Sequence, residues 1–205
     1  PDKYFDLAIV DPPYGGANNE CWINKDRGRF GGRFDKYKIT RTGGTWSTKY
    51  EKNIKHWDIA PDDNYFNELF RVSKNQIIWG GNYFELPANR CFIIWRKLTI
   101  SESFSMAMCE YARGSFNENA KWIALAPQDK NRFHPTQKPV ALYKWLLQNY
   151  AKIGDKILDT HLGSASIAIA CWELGFDLIG TELDKEYYDL AVERFNNFKS
   201  QQLMF

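Results

Sequence analysis

The sequence has little of what disulfide frameworks, metal centres and membrane spans require. Its four cysteines, Cys21, Cys91, Cys109 and Cys171, are far apart and form no C-x-x-C pair, which argues against disulfides and zinc sites. His134 has no second His or Cys at ligand spacing, so we predict no bound metal. No stretch approaches the roughly 18 apolar residues of a membrane span, and the first residues lack the pattern of a signal peptide. We therefore expect a cytoplasmic protein with no membrane partner.

Two common nucleotide-binding fingerprints are also missing. The chain has neither a G-x-G-x-x-G turn nor the Gly-Lys-Ser/Thr of a phosphate loop, which excludes a P-loop and weighs against a small-molecule dehydrogenase. What the chain does have is 44% hydrophobic and 16% aromatic residues over 205 positions, enough for one sizeable core. We predict a single domain over residues 1–205, and we expect a short segment to precede Pro1.

The positive charge is concentrated in one segment. The net charge is only +2, yet residues 21–55 hold ten Lys or Arg against three Asp or Glu. They lie in a glycine-rich stretch at about 15–60 that lacks strand or helix periodicity, which predicts a long loop insertion. Cations interleaved with Phe30, Phe34 and Tyr37 suit contacts with phosphates and bases, although a solvated surface loop is the alternative. The predicted nucleic-acid contacts are Arg27, Arg29, Arg33, Lys36, Lys38 and Arg41.

Hydrophobic periodicity elsewhere predicts alternating strands and helices. Strands are predicted at 4–10, 75–79, 91–95, 104–111, 156–159 and 176–180, and helices at 61–74, 139–150, 164–174 and 184–198. Residues 112–135 are polar and irregular apart from an apolar patch at 122–126. The strand–helix–strand–helix order after residue 156 indicates a βαβ unit, and therefore an α/β fold with a parallel sheet.

The sequence Asp11-Pro12-Pro13-Tyr14 follows the first buried strand, where open α/β sheets bind their ligands. Neither proline has an N–H, so this stiff turn offers the Asp11 carboxylate and the Pro12 carbonyl as acceptors. A nucleobase stacked on Tyr14 can donate both hydrogens of its exocyclic amine to these two groups. The four residues are therefore candidate catalytic residues, with a simple strand-ending turn as the alternative.

A second candidate site joins the strand at 156–159 to the next helix. Gly163 permits a tight turn, and amides at the helix start can hold an anion together with serine hydroxyls. An acid that ends the following strand suits a ribose diol. These features predict a nucleoside-cofactor site, the alternative being an N-capped helix start. The predicted cofactor contacts here are Asp159, His161, Leu162, Gly163, Ser164, Ser166 and Glu182.

Two prolines bracket polar groups in His134-Pro135-Thr136-Gln137-Lys138-Pro139, just ahead of a predicted helix. We interpret this segment as a rigid wall of the cofactor pocket, with Thr136 and Lys138 near a carboxylate. The alternative is a capped helix entry with a solvated lysine.

Together the motifs at 11–14, 77–84, 134–139 and 159–164 resemble those of DNA amino-methyltransferases, specifically the β class, in which the catalytic motif precedes the cofactor motif. The resemblance implies a Rossmann-like, S-adenosylmethionine-dependent methyltransferase fold, with a mostly parallel sheet, helices on both faces and a circularly permuted motif order. It also implies methylation of an exocyclic amine in double-stranded DNA, with Asp at position 11 favouring adenine. Asp11, Pro12 and Tyr14 would hold the flipped base, and Asp11 would also border the cofactor.

The chain departs from the family pattern in its cofactor turn. Thr160, His161 and Ala165 stand where the family has Pro, Phe and Gly, and we expect the extra Cβ of Ala165 to crowd the pocket. Residues 112–135 would be a small recognition-type region. Alternatives that stay open are a cytosine amino-methyltransferase, an RNA-directed enzyme and an inactive nucleic-acid-binding module. A homodimer and a partner restriction nuclease also stay open, as does a bacterial or phage-like source.

Overall fold

The structure is a computed structural model, and it describes residues 1–14, 59–102, 107–127 and 131–202. Chain contacts define two compact units, one of residues 1–12 with 62–205 and one of residues 13–61. The fold below is that of the first unit. The predicted basic contacts from Arg27 to Arg41 lie outside the described residues.

Seven strands of the described chain form one sheet in the order β5-β3-β4-β2-β1-β6-β7. The pairs β1–β2, β1–β6, β6–β7 and β3–β5 are parallel, and β4 runs antiparallel to both β2 and β3. The sheet is therefore mostly parallel, as predicted. The strands are β1 Phe5–Val10, β2 Ser73–Trp79, β3 Phe92–Lys97, β4 Cys109–Gly114, β5 Lys121–Leu125, β6 Lys156–Asp159 and β7 Asp177–Gly180.

Helices cover both faces of the sheet. Side chains of successive strand residues point in opposite directions, so each strand can contact helices on both faces. Ala8 and Val10 of β1 pack with Phe66 of α1, whereas Leu7 and Ile9 belong to the core that contains α2 and α3. Residues Leu7 to Val10 of β1 are buried on both faces, which explains their continuous apolar sequence. The helices are α1 Asp63–Val72, α2 Val140–Tyr150, α3 Ser166–Leu174 and α4 Lys185–Gln202.

Local capping chemistry explains several of the predicted helix ends. The Asp62 side chain accepts a hydrogen bond from the Tyr65 N–H at 3.1 Å and so caps α1. Gly175 ends α3 in the left-handed region, with φ 74°, a conformation that glycine adopts without a Cβ clash. None of the described helices is long and apolar enough to cross a membrane.

The prediction that residues 112–135 are irregular was wrong at Lys121–Leu125. These residues form β5, which pairs in parallel with β3 at the edge of the sheet. The side chain of Trp122 is 66% exposed, and a solvent-facing edge strand needs no regular apolar alternation. The strand expected at 104–111 is observed at Cys109–Gly114, with residues 103–106 outside the described part.

Candidate active site

The topology brings the two predicted motifs together. β1 and β6 are neighbouring parallel strands of the sheet, and Asp11 and Asp159 stand at their carboxyl ends. Ligands of open α/β sheets bind at this edge. The motif that ends β1 comes first in the sequence and the turn after β6 comes later, in agreement with the permuted order implied by the resemblance.

A small, partly open cleft lies at this edge. It contains most of the predicted cofactor contacts, whereas Asp159 and Glu182 are not among its lining residues. The lining residues are Asp11, His134, Thr136, Gln137, Lys138, Tyr143, His161, Leu162, Gly163, Ser164 and Ser166. Sequence reasoning missed His134, Gln137 and Tyr143. The first two lie inside the proline-bracketed motif, and the helical spacing of Tyr143 matched that of core residues.

Lys138 links the motif after β1 to the proline-bracketed wall. Its Nζ contacts the Asp11 carboxylate, although the two residues are 127 positions apart in the chain. The side chain of Lys138 is only 4% exposed and that of Asp11 is 12% exposed, so the alternative of a solvated lysine was wrong. The Nζ also lies 5.2 Å from the centre of the Trp79 ring.

A second carboxylate approaches Lys138 from the antiparallel strand. The Oε2 atom of Glu110 in β4 lies 3.2 Å from Lys138 Nζ, and its Oε1 atom lies 2.6 Å from Lys97 Nζ. Burial alone would lower the pKa of Lys138, but the charges of Asp11 and Glu110 outweigh it and raise that pKa. Burial would raise the pKa of Glu110, and the two lysines instead lower it. Lys138 and Glu110 are therefore both charged at neutral pH.

The turn after β6 is organised by Asp159, which is 1% exposed. Its Oδ1 atom accepts a hydrogen bond from the His161 N–H at 2.9 Å. Burial raises the pKa of Asp159 to about 7, and it lowers the pKa of His161 to about 4. The imidazole is therefore neutral at pH 7. Its Nδ1 atom lies 3.0 Å from Thr160 Oγ1, which lies 2.7 Å from the Tyr65 hydroxyl.

Glu182 holds the glycine turn in place. Gly163 has φ 53°, and its N–H donates to Oε2 of Glu182 at 2.8 Å. The other carboxylate oxygen accepts a hydrogen bond from the Asp184 N–H at 3.0 Å. Both oxygens thus bind backbone amides of the loops that follow β6 and β7.

The start of α3 is braced from α4. Arg194 NH1 donates to the Ser164 carbonyl at 2.7 Å and to the Ser166 hydroxyl at 2.9 Å. Ala165 between them adopts the left-handed region, with φ 57°, where a side chain is disfavoured. Ala165 is not among the residues that line the cleft, and the expected crowding of the pocket stays a prediction. The observed effect of the alanine is on the backbone.

The proline-bracketed segment does form one wall of the cleft. The His134 ring packs edge-on against Tyr187 with centroids 4.4 Å apart, and its Nδ1 atom lies 3.2 Å from Thr136 Oγ1. The His134 carbonyl accepts hydrogen bonds from Arg132 Nε at 3.1 Å and the Gln137 N–H at 3.2 Å. These contacts make the wall rigid before α2 begins.

The remaining members of the first motif divide between the two compact units. Pro12 is buried in the first unit, whereas Pro13 and Tyr14 belong to the second. The stacking role of Tyr14 stays a prediction, as do the contacts of the basic segment.

The chain is similar in sequence to DNA amino-methyltransferases. A family described as DNA methylase, which groups N6 and N4 enzymes, matches residues 111–193. The chain is 42% identical to the type II methyltransferase M.HpaI of Haemophilus parainfluenzae over 77 residues, 35% of this chain and 24% of that protein. It is 28% identical to M2.MboI of Moraxella bovis over 145 residues, 70% of this chain and 49% of that protein. These matches confirm the predicted resemblance, and the chain spans about a quarter to half of these relatives.

Two solved structures share the fold. The M1.HpyAVI–SAM complex has a TM-score of 0.52 at 21% identity, covering 94% of this chain and 89% of that one. PvuII DNA methyltransferase, described as cytosine-N4-specific, has a TM-score of 0.56 at 11% identity, covering 95% of this chain and 80% of that one. At these identities the likeness shows the fold alone.

Proposed function

We propose that this chain transfers a methyl group from S-adenosylmethionine to the exocyclic amine of adenine in double-stranded DNA. The observation that carries the proposal is the position of the Asp11 carboxylate, which borders the same cleft as the Gly163 turn. In this proposal Asp11 is the base-amine acceptor and the Gly163 turn is the cofactor turn of one shared site. The family match and the type II methyltransferase relatives support the amino-group chemistry.

The residues of the cleft fit S-adenosylmethionine by their donor and acceptor chemistry. Thr136 and the serine hydroxyls suit the carboxylate of the methionyl part, and the carboxylate of Asp159 suits its ammonium group. Lys138 and Asp11 pair with each other instead. Glu182 binds two backbone amides, and a carboxylate has about four acceptor sites, so capacity remains for a ribose diol. When bound, the cofactor supplies a methyl group on a positively charged sulfur.

The work of the protein is then to orient the amine. The lone pair of an aromatic amine is delocalised into its ring, which makes the nitrogen a weak nucleophile. Hydrogen bonds from the amine to Asp11 and to the Pro12 carbonyl favour a pyramidal nitrogen with its lone pair aimed at the methyl group. This is catalysis by positioning and by preorganised electrostatics. The Lys138 ammonium stabilises the ionised, acceptor-only form of Asp11 that such hydrogen bonds require.

The amine is inaccessible inside a duplex, so the target base must flip out, with Tyr14 as its stacking partner. Contacts between DNA phosphates and the basic segment, from Arg27 to Arg41, would offset the loss of base stacking. The stacking role of Tyr14 and the phosphate contacts of the basic segment both rest on the sequence.

We propose adenine rather than cytosine as the target base, because position 11 is Asp and not Ser, and in the family that the motifs resemble Asp at this position favours adenine. A cytosine amine presents the same two hydrogens, and PvuII DNA methyltransferase, which has the same fold, is described as cytosine-N4-specific. Cytosine N4 methylation is therefore the second candidate.

The experiment uses the full-length protein, duplex DNA and tritium-labelled S-adenosylmethionine, with mass spectrometry of the product nucleosides. We expect N6-methyladenine, and we expect Asp11→Asn to lower turnover by at least about 10²-fold while calorimetry shows little change in cofactor affinity. Asp6→Asn is the matched control, because Asp6 lies on the same β1 strand and pairs with Lys74 away from the cleft. N4-methylcytosine would instead establish the second candidate, and full activity of Asp11→Asn would overturn the catalytic role.

A further inference from the structure

An ion chain of four alternating charges leads from the cleft across the sheet. It runs from Asp11 to Lys138, then to Glu110 of β4 and Lys97 of β3. The Lys97 and Lys138 side chains are only 8% and 4% exposed, and those of Glu110 and Asp11 are 25% and 12% exposed. Each ammonium group of the ion chain lies beside a carboxylate, and such pairing is what offsets the cost of removing charges from water.

The antiparallel strand β4 brings Glu110 into the ion chain. Ala112 of β4 pairs with Trp79 at the end of β2, and Glu110 lies two residues further along, opposite Trp95 of β3. Alternation puts Glu110 on the same face as Ala112, the face that carries Trp79 and Trp95 in the core. The two ammonium groups lie 5.2 Å and 5.4 Å from the centres of these tryptophan rings. Both distances are within the roughly 6 Å range of a cation–π contact.

We propose that Glu110 is a positioning residue for the methyl transfer proposed above, on which this inference rests. Anchored by Lys97, it holds the Lys138 ammonium against the Asp11 carboxylate. A lysine ammonium is a point charge on a flexible stem with three rotatable donors, so a single carboxylate partner leaves its position loosely determined. A second carboxylate on the other side fixes the ammonium, and the ammonium in turn fixes the carboxylate that must accept the base amine.

Stability alone does not account for the ion chain. Buried ion pairs contribute little net stability, because the cost of removing charges from water offsets their attraction. If the ion pairs position a reacting group, they act on the reaction rate instead, since a displacement of about 1 Å in a reacting geometry can lower a rate about 10²-fold.

The test measures single-turnover rates of the full-length protein for Glu110→Gln, Lys97→Met, the double variant and Lys97→Arg. We expect Glu110→Gln and Lys97→Met each to lower the rate about 10- to 100-fold, with DNA KM and cofactor Kd nearly unchanged. The double variant should lose no more than the single variants, because residues that act as one unit are not additive. Lys97→Arg, which keeps the charge, should retain the rate.

Glu173→Gln is the matched control. The Lys144–Glu173 ion pair is as short as the Lys97–Glu110 pair, at 2.6 Å, and neither Lys144 nor Glu173 lines the cleft. It should leave the rate unchanged. Rates of Glu110→Gln and Lys97→Met within twofold of wild type would overturn the positioning role. If Glu110→Gln fails to fold by circular dichroism, the contrast between Lys97→Met and Lys97→Arg decides.

A structural measurement separates this inference from the proposed function. In a crystal structure of Glu110→Gln, or of Lys97→Met if the first does not fold, we expect Lys138 Nζ to have left its position against Asp11. An undisturbed contact overturns the positioning role even if the wild type methylates DNA. A wild type that transfers no methyl group to DNA overturns the proposed function, and the catalytic meaning of the ion chain with it.

Discussion

Replacing the buried carboxyl of Asp159 by an amide should stabilise the cofactor-free protein above neutral pH. Asp159 is 1% exposed, and burial raises its pKa to about 7. The negative charges of Asp11 and Glu182 raise this pKa further, whereas the His161 N–H and Lys138 lower it. Asparagine keeps a carbonyl oxygen for the His161 N–H and carries no charge at any pH.

The sign and size of the effect follow from proton linkage. Between pH 4 and 7 the folded protein holds a proton on Asp159 that the unfolded chain has lost. The free energy of unfolding of the wild type therefore falls as pH rises through this window, by at most about 1.4 kcal/mol per pH unit. A pKa raised from its ordinary value near 4 to about 7 corresponds to about 4 kcal/mol in total. Relative to wild type, Asp159→Asn should gain about this much between pH 4 and 8.

The assay is urea unfolding, followed by tryptophan fluorescence, of wild type and Asp159→Asn at several pH values from 4 to 8. Asp6→Asn is the control. Hydrogen bonds from the Lys156 amide and Lys74 lower the pKa of Asp6, so its contribution to stability is lost only as pH falls below about 4, and the stability of Asp6→Asn relative to wild type should stay constant from pH 4 to 8. The reasoning would be refuted if the difference in unfolding free energy between Asp159→Asn and wild type stayed constant from pH 4 to 8, or if the variant lost stability relative to wild type as pH rises.

Two further predictions concern the turns of the site. Ala165→Gly should raise the free energy of unfolding by about 0.5–1 kcal/mol, because a side chain at φ 57° costs about 1–2 kcal/mol, less the added entropy of glycine in the unfolded chain. Its counterpart Gly175→Ala, at φ 74° in open space, should lower it by about 1 kcal/mol in the same urea assay. If both substitutions changed stability in one direction, backbone conformation would not be the cause. Glu182→Ala should weaken binding of S-adenosylmethionine about tenfold in calorimetry, because the Gly163 and Asp184 amides lose their acceptor. Unchanged affinity would remove Glu182 from the cofactor site.

Short-range patterns were enough to predict most of the elements that carry the site. The strand before Asp11, the strand that ends at Asp159 and the helix α2 Val140–Tyr150 were all predicted close to their observed positions. Each depends on burial periodicity and on the turn residues beside it, which act over a few positions. The edge strand β5 was missed, because its pairing with β3 is decided by a distant partner and not by its own apolar pattern.

The sequence by itself determined that an acceptor-rich turn after β1 and a glycine turn after β6 exist, because Pro, Gly and buried strand residues act locally. Only the tertiary structure decided which charges meet at these turns. Lys138 reaches Asp11 across 127 positions, and Glu110 and Lys97 reach Lys138 only because β4 runs antiparallel beside β2 and β3. Electrostatic partners depend on distance in space, and no local pattern specifies which charges the folded sheet brings together.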